Sequence, residues 1–252
     1  GLAGLDLLGG QAGLHHLVAP AVTEIMTLPV GDETCRVFDA TCSTAIREIL
    51  PRLSCLALGP GLGTDETTQE LVRRLLTSCP VPLVIDADGL NCLADRPDLF
   101  EKAAAPVVIT PHPGEMARLL QTDPALVQAD RVGCARSFAE AHNIHVVLKG
   151  AGTVIAHPDG TIFVNQTGNP GMAAGGMGDV LTGMIAAWIC QGHDPGRASR
   201  LGVYLHGAAA DMAAGEIGGP GFLATEVMAA VPRTLTALDH NNASNDGACH
   251  LF

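Results

Sequence analysis

Short apolar runs that each end in a polar, glycine-bearing loop constrain this chain more than any other feature. Cys55–Leu58 leads into Gly59-Pro60-Gly61-Leu62-Gly63, and Pro82–Ile85 into Asp86-Ala87-Asp88-Gly89. Val107–Ile109 leads into Thr110-Pro111-His112-Pro113-Gly114-Glu115, and His145–Leu148 into Lys149-Gly150-Ala151-Gly152-Thr153. Helical patterns lie between them over Thr64–Ser78, Glu115–Gln121 and Pro124–His142. A run too short for a helix and apolar throughout reads as a strand covered on both faces. Strand, loop and helix in repetition give an α/β domain with a mostly parallel central sheet between two helical layers. Ligands of such sheets sit outside the carboxyl ends of the strands, where these loops fall. Leu14–Ala19 reads as one more strand. Thr153–His157 and Thr161–Asn165 flank the turn signal Pro158-Asp159-Gly160 and predict a hairpin. The last third reads as helices over Asp179–Gln191, Pro195–Ala214 and Thr225–Leu238, so one domain is expected over residues 1–238, with a polar, flexible tail over 239–252.

The 252 residues are 47% hydrophobic, enough for one large domain to bury a core without disulfide staples. Aromatics are only 3%, so Ala, Leu, Val and Ile must build that core. A net charge of −12 argues against a nucleic-acid or anionic-membrane surface. No apolar run reaches membrane-spanning length. The eight cysteines contain no C-x-x-C pair and mostly sit in apolar runs, which points to buried, reduced thiols and a cytoplasmic protein rather than a zinc site or disulfide framework. The chain starts on Gly1, and Gly1–Gly13 reads as the tail of an Ala/Leu/Gly helix without a cap; the natural beginning, including an N-terminal strand, is expected to be missing.

The chemistry concentrates in Gly168–Gly183, where six glycines lead up to and into the apolar helical run Val180–Ile189, with Asp179 at its start. A glycine-rich loop feeding a helix N-terminus is an anion site, because free backbone N–H groups and the positive end of the helix dipole converge there. A carboxylate at that place suits a general base beside a phosphoryl group. A plain helix cap is the competing reading. Gly59–Gly63 is not G-x-G-x-x-G, and no G-x-x-x-x-G-K-[ST] occurs, which weakens a Rossmann or P-loop assignment. Asp86 and Asp88 could meet a metal or a ribose, but Asp88 reads more simply as the N-cap of a short helix through Leu93. His112 is held between two prolines, and Glu115 opens a helix, where it can serve the dipole or hold magnesium through water. Lys149 is one of only two lysines, the other being Lys102, and its place at a strand's end suggests a nucleotide phosphate.

Taken in order, these five loops resemble those of the ADP- or ATP-dependent NAD(P)H-hydrate dehydratases, a branch of the ribokinase-like superfamily. The resemblance rests on Gly59–Gly63, Asp86–Leu90, Thr110–Glu115, Lys149–Thr153 and the stretch from Asn169 through Gly183. It implies a three-layer ribokinase-like fold and a carbon–oxygen lyase of metabolite repair. The implied substrate is the S-form of NADH or NADPH hydrated at C6 of the nicotinamide ring. Asp179 would deprotonate the C6 hydroxyl so that it attacks the terminal phosphoryl of ADP, giving AMP. The ring nitrogen then expels phosphate, and loss of the C5 proton restores the double bond. The resemblance further implies that the amides of Gly176, Met177 and Gly178 stabilise the developing charge, and that Lys149, Gly150, Ala151, Gly152, Thr153 and Gly178 bind the nucleotide. Gly63, His112 and Asp179 would contact the hydrated dinucleotide, Glu115 would organise Mg2+, and a homo-oligomer served by an NAD(P)H-hydrate epimerase is expected. The chain departs from the family pattern in lacking a Lys-Gly-x-x-Gly opening and in carrying Met177 and Ala174 where threonine is usual. The alternatives are a small-alcohol or vitamin-precursor kinase of the same superfamily and a non-catalytic nucleotide-binding remnant.

Overall fold

The structure is a computed structural model that describes residues 7–11, 15–21, 25–31, 37–38, 42–219 and 221–244. Strands are β1 (Leu7–Gln11), β2 (Met26–Val30), β3 (Leu56–Leu58), β4 (Leu83–Ile85), β5 (Val107–Ile109), β6 (His145–Leu148), β7 (Val154–Ala156) and β8 (Ile162–Val164). Helices are α1 (His15–Val18), α2 (Cys42–Ile49), α3 (Glu66–Ser78), α4 (Ala87–Asn91), α5 (Pro113–Leu119), α6 (Pro124–Ala129), α7 (Arg131–His142), α8 (Met177–Cys190), α9 (Pro195–Ile217) and α10 (Ala224–Ser244). The main sheet has six strands in the order β3-β4-β5-β6-β7-β8. β3 through β6 run parallel, and the hairpin strands β7 and β8 complete the sheet antiparallel. β1 and β2 form a separate parallel pair.

The two faces of the main sheet follow from the side-chain period of two along each strand. Leu83 and Ile85, Val107 and Ile109, and Val146 and Leu148 share one core with Leu71, Val72, Leu75 and Leu76 of α3, Met116 of α5 and Phe138 of α7. The alternate residues Val84, Val108, Val147 and Ile155 point to the other core, with Leu181, Ile185 and Trp188 of α8 and Val203 and Leu205 of α9. Both faces are therefore dry, and the only polar places along β4, β5 and β6 are their ends. That is the three-layer α/β/α arrangement expected from the sequence. No helix among the described residues is long and apolar enough to cross a membrane.

Several expectations are corrected. Leu7–Gln11, read as helical, is a strand, because its pairing with Met26–Val30 supplies hydrogen bonds that a short glycine-bearing segment could not secure as a helix; residues 1–6 and 12–13 of that segment lie outside the described residues. The strand expected over Leu14–Ala19 does not form in its described part: His15–Val18 is a helical turn that passes into a 3-10 turn at Ala19–Ala21, and Leu14 lies outside the described residues. Pro124–His142 is two helices, broken at Asp130, whose backbone leaves helical geometry and whose side chain caps α7 through the Gly133 N–H. The expected tail from Asp239 is helical through Ser244, as the end of α10; residues 245–252 lie outside the described residues. Cys55, Cys79, Cys92 and Cys134 carry free thiols, Cys79 and Cys92 of them fully buried.

Candidate active site

The loops at the carboxyl ends of β3 to β6 meet around one buried carboxylate, Asp86. It follows β4 directly and is wholly inaccessible to solvent. The Lys149 ammonium, at the end of β6, donates to Asp86 Oδ1 at 2.7 Å. The Thr182 hydroxyl, on α8, donates to Asp86 Oδ2 at 2.9 Å. Thr110, at the end of β5, lies 3.4 Å from Thr182, oxygen to oxygen, and both are buried. The backbone joins the same loops: Asp86 N–H donates to Leu58 C=O, Thr110 N–H to Ile85 C=O, and Lys149 N–H to Pro111 C=O at 2.8 Å. A buried carboxylate is tolerated only when its oxygens are satisfied, and here an ammonium and a hydroxyl satisfy them.

Two glycines make this closeness possible. A Cβ on Gly59 would lie 1.8 Å from the Asp86 carbonyl oxygen, and its φ of +140° is open only to glycine. A Cβ on Gly178 would lie 3.1 Å from Lys149 Nζ and 3.4 Å from Asp86 Oδ2, so the bare first turn of α8 rests directly on the pair. Between the two acidic residues of the β4 loop, Ala87 has a φ of +48°. A left-handed alanine costs about 1–2 kcal/mol, and the bonds of Asp86 on one side and Asp88 on the other hold it there.

α8 begins with the bond from Val180 N–H to Gly176 C=O. The amides of Met177, Gly178 and Asp179 thus stand at the helix start without an intrahelical acceptor, at the positive end of its dipole. Asp179 is exposed on this first turn, next to the Lys149–Asp86 pair through Gly178. The glycine-rich lead-in is pinned from α9: Asp211 accepts the Gly168 N–H at 2.8 Å and the Asn169 side-chain amide at 2.9 Å.

The remaining sequence-derived residues fall around this centre. Lys149–Thr153 forms the β6–β7 connection. Arg131 of α7 clamps it by donating to Ala151 C=O at 2.6 Å and Leu148 C=O at 3.0 Å, and Thr153 Oγ1 donates to Gly150 C=O. Gly152 packs beside Val164. Gly63 N–H donates to Asp88 Oδ2 at 2.9 Å. Asp88 is therefore not the N-cap expected of it: Asp86 holds that position and Asp88 lies in the first turn of α4, free to reach Gly63. His112 and Glu115 form a capping box on α5. His112 Nδ1 accepts from the Gly114 and Glu115 N–H groups, and Glu115 Oε2 accepts the His112 N–H at 2.7 Å. The His112 ring nevertheless stays half exposed, whereas Glu115 is nearly buried with Oε2 3.8 Å from Lys149 Nζ. Lys102 lies outside this assembly and pairs with Asp98 on the surface.

Asp86, Thr182, Arg131 and Asp211 carry much of this geometry; the sequence offered Asp86 only as a metal or ribose contact and gave the other three no role of their own. Lys149 offered one available signal: a mostly buried lysine at a strand end needs a carboxylate close by, and here it comes from the end of β4, one strand beyond the neighbouring β5. His206 of α9 also went unnoticed. It is almost fully buried, Nε2 lacks a protein partner, and burial together with the nearby Lys149 charge pushes its pKa down to about 4.

No group of three or more His, Cys, Asp or Glu side chains among the described residues could hold a metal ion. Glu115 already shares its neighbourhood with an ammonium. A magnesium ion at this donor set would therefore be held mainly by phosphate oxygens and water rather than by protein ligands.

A sheet covered on both faces, with a glycine-rich loop feeding a helix at the strand ends, is the architecture of ribokinase-like α/β proteins. Within that class, the chain belongs to the NAD(P)H-hydrate dehydratase family, whose sequence model matches residues 9–233. It is 37% identical over 235 residues to the ADP-dependent (S)-NAD(P)H-hydrate dehydratase of Bacillus subtilis, covering 92% of this chain and 82% of that protein. It is 44% identical over 237 residues to the bifunctional NAD(P)H-hydrate repair enzyme of Moorella thermoacetica, covering 94% of this chain and 45% of that protein. The chain thus spans under half the length of that bifunctional relative. The crystal structure of the ADP/ATP-dependent NAD(P)H-hydrate dehydratase from B. subtilis, co-crystallised with ATP/Mg2+ and soaked with CoA, superposes with a TM-score of 0.77 at 32% identity, covering 93% of this chain and 81% of that one. A ribokinase-like superfamily protein from Enterococcus faecalis superposes with a TM-score of 0.75 at 26% identity, covering 93% and 78%.

Proposed function

We propose that this chain dehydrates the S-form of NADH or NADPH hydrate to NADH or NADPH, with conversion of ADP to AMP and phosphate. The observation that carries the reading is the exposed carboxylate of Asp179 on the open first turn of α8, with the Lys149 ammonium directly beneath Gly178. The amides of Met177, Gly178 and Asp179 and the Lys149 ammonium supply positive potential for a terminal phosphoryl group. Asp179 accepts the proton of the C6 hydroxyl as that oxygen attacks phosphorus. The ring nitrogen lone pair then expels the phosphate, and departure of the C5 proton restores the double bond. Lys149–Thr153 holds the nucleotide; Gly63 and the exposed ring of His112 face the hydrated dinucleotide. Magnesium bound with the nucleotide would neutralise phosphate charge, and Glu115 is the residue that would help to hold it. ADP is the first choice of co-substrate because the curated B. subtilis relative is named for it, and ATP is the second, from the name of the crystallised enzyme. The reading includes a cytoplasmic place, a homo-oligomer, and an NAD(P)H-hydrate epimerase that supplies the S-form; the bifunctional name of the M. thermoacetica relative supports that last link.

The test is to incubate the purified chain with S-NADH hydrate and ADP or ATP, and to follow both the returning dihydronicotinamide absorbance and the nucleotide product. One AMP formed per NADH recovered is expected with ADP. Recovery without nucleotide consumption, or phosphoryl transfer to a small alcohol in its place, would overturn the reading.

A further inference from the structure

We propose that Asp86 is a positioning residue that fixes the Lys149 ammonium under the N-terminus of α8 and ties it to the turn that carries Asp179. The proposal deepens the reading of this site as a nucleotide-phosphate site and rests on it. Lys149 has two carboxylates within reach: Asp86 Oδ1 at 2.7 Å and Glu115 Oε2 at 3.8 Å. Only the first is at hydrogen-bond distance. Asp86 thereby decides which way the ammonium faces, toward Gly178 and the open amides of α8 or toward the α5 cap. The second oxygen of the same carboxylate accepts from Thr182 at 2.9 Å. Thr182 stands three residues after Asp179, about one turn further along α8. One carboxylate thus spans the cation and the helix that bears the base, across the ends of β4 and β6. Its own placement is fixed by the Leu58 carbonyl, which accepts its N–H at 3.1 Å, and by the close approach of Gly59. Asp86 is fully buried, so it touches neither nucleotide nor hydrated dinucleotide and acts through Lys149 and Thr182.

The experiment is a double-mutant cycle on ADP affinity by calorimetry, with wild type, Asp86→Asn, Lys149→Met and the double variant, each checked for folding by circular dichroism. Lys149→Met is expected to weaken ADP binding at least ~10-fold in the wild-type background. Asp86→Asn leaves the lysine in place but undirected. It is expected to cost nearly as much affinity, and the double variant to bind within about twofold of either single one, the non-additivity of groups that act as a unit. If Asp86→Asn does not fold, Thr182→Val makes the same test from the other end, with an expected severalfold loss of affinity that shrinks to under twofold when Lys149 is already Met. Losses that multiply in the double variant, or an Asp86→Asn protein that binds ADP within twofold of wild type, would overturn the proposal. Dehydratase turnover of the wild type is measured alongside. Normal turnover with multiplying losses removes the brace and leaves the functional reading; coupled losses without any turnover on the hydrate do the reverse.

Discussion

The two ends of β6 handle partly buried titratable groups in opposite ways. At the carboxyl end, Lys149 is paired with Asp86 at 2.7 Å and neighboured by Glu115 at 3.8 Å. At the amino end, the ring of His145 meets that of His157 edge-on, with centroids 4.9 Å apart, and His157 in turn packs on Phe163, beneath the Arg200 guanidinium. His145 Nδ1 and His157 Nε2 are buried without protein partners. Burial, with help from its neighbour His157, pushes His145 down to about 4; burial and Arg200 lower His157 as well. A neutral ring can stay unpartnered inside a protein for about 1–3 kcal/mol. An isolated charge cannot, so it is either neutralised or paired. A cation paired with a carboxylate at one end of the strand, and imidazoles held neutral at the other, separate the end proposed for chemistry from the end that packs.

The most severe way to break the contrast is to push Asp86 out of place. Gly59→Ala puts a Cβ into the Asp86 carbonyl, 1.8 Å away, at a φ that L-residues avoid. We expect a loss of more than about 3 kcal/mol in unfolding free energy, seen in chemical denaturation, together with loss of ADP binding. A near-normal midpoint with normal ADP affinity would mean that the strand ends are not as tightly joined as the contacts imply. Next in size is the cation itself. Lys149→Ala is expected to weaken ADP at least ~10-fold, whereas Lys102→Ala, which removes only an exposed pair with Asp98, should change it less than twofold. Equal affinities for the two variants would take Lys149 out of the nucleotide site.

The smallest effect sharpens the other end. The folded pKa of His145 lies near 4, below the ordinary value of 6.5. A depressed imidazole stays neutral in the fold while the unfolded chain takes up the proton. The stability is therefore complete above pH 6.5 and falls as the pH drops from there toward 4, by at most about 1.4 kcal/mol per pH unit for each such histidine. Asp194 and Asp159 favour the charged ring and soften the fall, while His157 steepens it. His206 titrates the same way. Thermal melts across this range should show a shallower pH dependence in His145→Leu than in wild type; identical slopes would show that the histidine pair is not the source.

The apolar runs before the loops were legible because strands covered on both faces cannot hide their composition, and β3 to β8 fall within or at the expected runs. The glycine loop and Asp179 were legible because a helix start with open amides leaves a local signature. The link between Asp86 and Thr182 was not. One reads as a loop residue and the other as a helix residue, and only the parallel crossover that sets β4 beside β5 and α8 above them brings the two together. His112 is held between its two prolines and Glu115 stands in the first turn of α5, as the sequence indicated, and the capping box they form supplies the reason. The N-terminal strands escaped notice because β1 contains Gly9 and Gly10, β2 contains Pro29, and pairing between them, rather than propensity, makes them strands.

The account turns on Asp179 as the base beside a phosphoryl group. The most direct measurement is the rate of NADH recovery from its S-hydrate with saturating ADP, for wild type and Asp179→Asn, with ADP affinity measured on the same samples. The account predicts a fall in turnover of at least ~100-fold with ADP affinity within about threefold of wild type, since the amides and Lys149 remain. Near-normal turnover by Asp179→Asn, or a loss explained entirely by weaker ADP binding, would contradict it.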